Sequence, residues 1–96
     1  MKLVLSNLAD ADINGIAEYS LRQWGVAQAR HYSAGLTAFL EDLRNGTVTG
    51  SVTLDTPSEV RRGKYRSHFI FFRRSATDLL IVRVLHERMD HLRHLR

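Results

Sequence analysis

The sequence predicts an α+β fold: an N-terminal strand, a two-helix antiparallel hairpin packed on a twisted antiparallel sheet, and a short C-terminal helix. Two apolar stripes at helical spacing flank Gly25, and after Glu59 the chain turns to β-branched and aromatic residues broken by charges. Helical and extended patterns stay in separate halves, the mark of an α+β chain. With 96 residues the chain forms one domain, residues 1–96, and has no room for a second core.

Lys2 to Leu5 is too short for a helix and reads as the first strand, ended by Ser6, a good helix N-cap. Asp10 and Asp12 then lie near the positive end of the following helix. Ala9, Ile13, Ile16, Ala17, Ser20 and Trp24 share one face of that helix, which predicts a buried Trp24; Gly25 suits its C-terminal cap. Val26, Ala29, Ser33, Leu36, Leu40 and Leu43 form a second stripe running to Asn45-Gly46, so two helices fold back on each other about Gly25. Asn45 to Ser58 reads as a connector with a short extended piece at Ser51 to Leu54, closed by Pro57. Strands follow at Val60 to Arg62, Tyr65 to Arg73 and Leu79 to Leu85, with a bend at Gly63 and a turn at Ser75 to Asp78. Alternation along the middle strand sets Tyr65, Ser67, Phe69, Phe71 and Arg73 on one face and Arg66, His68, Ile70, Phe72 and Arg74 on the other. Both faces are partly apolar, so one is expected under the helices and the other open to a partner. Arg88 to Leu95 reads as a short helix, with Met89 and Leu92 docking on the sheet edge.

Apolar residues make up 44% of the chain and charged residues 25%, the balance of a folded globular protein. The absence of cysteine points to a reducing compartment, and the N-terminus lacks the apolar length of a signal peptide. No run approaches the ~20 apolar residues of a membrane helix. A cytoplasmic location without membrane association is the expectation. The net charge of +4 is unevenly placed. Residues 1–58 carry four lysines and arginines against six acids, whereas residues 59–96 carry ten against four, with four of the five histidines. Such a basic half meets nucleic acid, an acidic protein or solvent.

Arg83 is a lone charge between Val82 and Val84 in an apolar strand, where an unpaired charge would be costly. It serves either as a phosphate or carboxylate contact or as a structural pair with Glu59, Glu87 or an N-terminal acid. Arg61, Arg62, Lys64 and Arg66 crowd one hairpin and read either as a solvated sheet edge or as a footprint for an acidic partner segment or a nucleic-acid backbone. His86, near Arg83, has the chemistry of a general acid, but Glu87 points to the opposite side and no tyrosine lies beyond Tyr65, so it reads rather as an anchor of the strand-to-helix corner. Glu87, Asp90, His91 and His94 share a helical spacing typical of an exposed mixed-charge face, and no metal site is assigned to them. No phosphate loop, paired carboxylates or nucleophile triad is present, and no cofactor is expected.

The first helix, with Asp12-Ile13 and Ile16-Ala17-Glu18-Tyr19 running to Trp24-Gly25, and the second, opening with Gln28-Ala29 and Tyr32, resemble the ParE toxins. The strands from Val60 to Phe72 and from Ile81 to Asp90 strengthen the resemblance, the latter through Arg83, His86 and Met89-Asp90. The resemblance implies the RelE/ParE fold and the toxin of a type II toxin–antitoxin pair. It implies inhibition of DNA gyrase by direct binding, without catalysis, and neutralisation by a ParD-like antitoxin with an acidic amphipathic tail. It also implies a larger toxin–antitoxin complex that binds operator DNA through the antitoxin. Arg61, Arg62, Lys64, Arg66, Arg83 and His86 are the expected target- or antitoxin-binding residues. The alternative is a ribosome-dependent mRNA endonuclease using Arg83 and His86 with the Arg61 to Arg66 cluster. The C-terminal tyrosine and lysine-rich first helix of that ribonuclease branch are missing here.

Overall fold

The computed structural model describes residues 1–52 and 59–95, apart from the side chain of Leu92. The elements run β1 (Lys2–Leu5), α1 (Asn7–Trp24), α2 (Val26–Asn45), β2 (Arg61–Tyr65), β3 (His68–Arg74), β4 (Asp78–His86) and α3 (His91–Leu95). The sheet order is β1-β4-β3-β2. Strands β2, β3 and β4 are antiparallel, as expected, but β1 pairs with β4 in parallel.

Local chemistry sets the helix boundaries. The Ser6 hydroxyl accepts the Ala9 N–H at 3.0 Å and donates to the Val82 carbonyl at 2.7 Å, so one side chain both caps α1 and fastens it to β4. Gly25, with φ +87, lies between Trp24 and Val26 with no other residue, and Gly46 ends α2 in a left-handed conformation. Among the described residues the connector makes an antiparallel bridge from Ser51 to Arg62. Thr53, Leu54 and Pro57 lie outside the described residues.

Ala9, Leu36, Leu40 and Leu43 from the helices meet Ile70, Phe72, Leu79, Ile81 and Val84 from the sheet in the main core. The predicted stripes hold in their middles and fail near the hairpin. Residues 21–28 are all exposed, Trp24 is 67% exposed rather than buried, and Val26 and Ser33 also face outward. The tip of a helical hairpin has no second layer to pack on, so its last turn cannot bury an aromatic ring.

The second sheet face differs from the expectation of an open apolar surface. Val60, Phe71 and Leu85 are buried there, packed with Phe69, Val82 and Leu95. Arg62 and Lys64, the cross-strand neighbours of Phe71 and Phe69, lay their cations over the Phe69 ring, Arg62 at 4.2 Å from its centroid. Helix α3 begins at His91, three residues later than expected. Glu87 and Asp90 therefore precede the helix, and the metal-like spacing does not form.

The β2–β3 turn falls at Arg66-Ser67, not at Gly63. Gly63 is buried inside β2, where a Cβ would stand 3.1 Å from the Phe39 ring, so this glycine permits close packing. Arg66 has φ +51 and is the one non-glycine residue with positive φ among the described residues.

A β-bulge at Val82 reorders the far end of the β3–β4 pair. Phe72 opposes Ile81 but Phe71 opposes Arg83, so Val82 is skipped. Beyond it, inward residues change from odd to even numbers, from Leu79 and Ile81 to Val84, and His68 stands opposite His86.

Candidate functional site

A groove of about 900 Å³ runs between α1, the start of α2 and the β2–β3 turn. Ile16, Tyr19, Trp24 and Met89 contribute apolar walls, Tyr32, His68 and His86 meet as its polar end, and Arg66, Asp12, Ser20 and Gln28 also line it. Tyr19 is 57% and Met89 39% exposed, so this surface lies open to solvent.

The polar end rests on three elements. The Tyr32 hydroxyl from α2 is 2.5 Å from His68 Nδ1, and the His68 and His86 rings meet edge-on with centroids 5.3 Å apart. Burial, with help from neighbouring His86, holds His68 below the ordinary histidine value, while Glu87 acts the other way. Burial raises Tyr32, opposed by hydrogen bonding to Ser67. Both shifts favour neutral groups, so the phenol donates to an unprotonated Nδ1 and leaves the hydrogen of His68 on Nε2. His86 Nδ1 accepts the Arg88 N–H at 3.2 Å, and the His86 carbonyl accepts from His91 Nε2 at 2.9 Å. His91 is itself buried edge-on against Phe69 and Phe71.

Arg83, on the same strand as His86, does not line the groove and is already engaged. Its Nε and one terminal nitrogen donate to the two Asp12 oxygens at 2.8 and 2.9 Å, and the other terminal nitrogen reaches the His94 carbonyl at 3.3 Å. Asp12 also accepts the Val84 N–H at 3.0 Å. The bidentate bond to Asp12 raises the Arg83 pKa further. Of the two roles open in the sequence, the geometry is that of a structural pair with an N-terminal acid.

Residues 3–91 match the family model described as ParE toxin of type II toxin-antitoxin system, parDE. The chain belongs to the ParE toxin family. It is 33% identical over 93 residues to Toxin ParE of Escherichia coli, covering 96% of this chain and 90% of that one. It is 35% identical over 91 residues to Toxin ParE1 of Caulobacter vibrioides, covering 95% and 94%. A solved structure titled as the chromosomal ParDE TA system from P. aeruginosa superposes with a TM-score of 0.76 at 18% identity, covering 90% of this chain and 95% of that one, a likeness of fold.

In this ParE chain the expected site residues do not converge. Arg66 and His86 line the groove, whereas Arg62 and Lys64 point to the opposite sheet face, where Lys64 pairs with Glu87 at 3.3 Å. Arg61 shares the helix-side face with Gly63 and Tyr65 and is exposed. Sequence reasoning passed over Tyr32 and His68. The turn at Ser75 to Asp78 pairs Arg74 with Leu79, and an unbroken ladder from there sets His68 against Leu85; only the bulge brings it to His86.

Proposed function

We propose that the chain is the toxin of a type II toxin–antitoxin pair, that it inhibits DNA gyrase by direct binding, and that an acidic amphipathic segment of its antitoxin neutralises it by lying in the groove. Family membership over residues 3–91 carries the reading. The groove supports the mode of neutralisation: its lining combines open apolar side chains with Arg66 and two histidines, complementary to a helix with one apolar and one acidic face. The second sheet face, already covered by Val60 and α3 residues, is the poorer place for that segment.

The endonuclease reading has one observation in its favour, the Tyr32–His68–His86 group, which supplies proton donors and acceptors. A scissile phosphate also needs cations around it. Arg83 is held by Asp12, and Arg62 and Lys64 lie on the opposite face, so the clamp is not assembled at His86. Binding is therefore favoured over cutting.

The test is supercoiling by purified gyrase with the chain added, with and without the product of the adjacent reading frame. Inhibition is expected, and its relief by that product. Trp24→Ala, at an exposed position, should leave the thermal midpoint in place and weaken the antitoxin complex. Unimpaired supercoiling together with cleaved cellular mRNA would favour the endonuclease.

A further inference from the structure

Arg66 is the least expected side chain in the groove. It is the first residue of a two-residue hairpin turn closed by the Tyr65–His68 pair, and its φ of +51 is a position that favours glycine or asparagine. Arg83 binds Asp12, Arg73 binds Glu59 at 3.8 Å and Arg62 stacks on Phe69, while Arg61, exposed like Arg66, does not line the groove. Arg66 is exposed, donates only to the neighbouring Tyr65 hydroxyl at 3.3 Å, and forms no ion pair with a carboxylate among the described residues. A strained backbone whose side chain meets only its neighbour Tyr65, by that bond and by lying 5.7 Å from the ring centroid, points to a task outside the fold.

We infer that Arg66 is held in this turn, at the expense of stability, to anchor a carboxylate of the acidic helix in the groove, and that it sets which antitoxin segments bind. The inference rests on the groove being the antitoxin site. The turn places Arg66 in a groove lined also by the apolar side chains of Ile16, Tyr19, Trp24 and Met89 and by Asp12, whose carboxylate is taken up by Arg83 and the Val84 N–H. That arrangement seats an amphipathic helix with its apolar side chains against Ile16, Tyr19, Trp24 and Met89 and one acidic side chain at Arg66. A nucleic-acid backbone would need several free cations along its track, and Arg66 is the one lysine or arginine among the described groove-lining residues. The planar fork gives a bidentate carboxylate contact that lysine cannot reproduce.

The consequence is a change of opposite sign in two measurements. Arg66→Gly and Arg66→Asn both suit positive φ, so each should raise the thermal midpoint of the free toxin by about 4 °C. Both should weaken binding to the product of the adjacent reading frame by about 10–100-fold, the loss of one charge-assisted contact. Arg66→Lys should keep the wild-type midpoint and lose part of the affinity. Reversing a single acid of the antitoxin helix to lysine should weaken the wild-type complex, and Arg66→Glu should restore binding to that variant.

A midpoint unchanged or lowered in both Arg66→Gly and Arg66→Asn would overturn the strain argument. A raised midpoint with unchanged affinity would overturn the anchor, and if Trp24→Ala still weakens the complex, the groove remains the antitoxin site. Unchanged affinity in both Arg66→Gly and Trp24→Ala would overturn the groove reading itself. RNA cleavage by the purified chain that Arg66→Gly abolishes, at unchanged antitoxin affinity, would transfer the residue to a phosphate-binding role.

Discussion

Replacing Asp12 with alanine should be among the most damaging single changes outside the apolar core. Asp12 accepts three hydrogen bonds, two from Arg83 and one from the Val84 N–H, and its side chain and that of Arg83 retain only 14% and 13% exposure. Alanine leaves a nearly buried guanidinium without its counter-charge and an N–H on buried Val84 without its acceptor. Breaking a buried pair from one side costs ~3–5 kcal/mol, and some solvent access at this edge argues for the lower end, about 3 kcal/mol. In a domain of this size that lowers the midpoint by roughly 15 °C. Asp12→Asn, which still accepts from Val84, should lose about half as much. Arg83→Met removes the charge and leaves Asp12 bonded to Val84, so the double variant should be more stable than the sum of the single effects by about 1–2 kcal/mol. Thermal and urea unfolding of the four proteins measure this. A loss below about 0.5 kcal/mol in Asp12→Ala, within the range of ordinary surface changes, or strict additivity in the double variant, would refute the structural role given to the pair.

Gly35 on α2 lies under Tyr65, and a Cβ there would fall 1.8 Å from the phenol oxygen. Gly35→Ala should therefore cost about 1–2 kcal/mol despite its better helix propensity, with partial rescue by Tyr65→Phe. Because the folded state lowers the His68 pKa, its contribution is complete above the ordinary value of 6.5 and is lost as pH falls below it, since the unfolded chain takes up the proton first. Tyr32, with a raised pKa, gives the mirror effect, losing stability as pH rises above 10.0. Thermal midpoints from pH 5 to 8 should flatten in His68→Asn. His86→Gln should still inhibit gyrase, whereas a cutting site would lose about 10²–10⁴-fold in rate.

The parts of the fold written in local chemistry were legible: Ser6 as a cap, Gly25 and Gly46 as helix ends, and the strands flanking Ser75 to Asp78. What escaped was decided by neighbours distant in sequence. Gly63 reads as a bend because glycine usually marks one, yet Phe39 requires its missing Cβ. The turn went instead to Arg66-Ser67, a pair with no turn signature, and the same irregularity marks the proposed anchor. Trp24 continues the α1 stripe by spacing, but periodicity states which face a residue occupies and not whether anything lies opposite. The bulge at Val82 has no glycine to announce it, so the meeting of His68 and His86 could not be read from alternation.

The open groove follows from how the edge of β4 is finished. Parallel pairing with β1 stops at Ile81, and beyond that point β4 would present unpaired backbone groups on its outer side. The chain resolves this without a longer strand. Ser6 donates its N–H to the Ile81 carbonyl and its hydroxyl to the Val82 carbonyl, and Asp12 accepts the Val84 N–H, so the first two turns of α1 take the place of a strand. Those contacts end at Asp12. From Ala11 to Trp24 α1 lines the groove beside Val84, Leu85 and His86, and past Asp12 it leaves Ile16 and Tyr19 to face it. A longer β1 would satisfy the same backbone groups with another strand and fill the space. The Asp12–Arg83 pair thus supports the candidate site from its edge, by fixing where the helix stops closing the sheet and the opening begins.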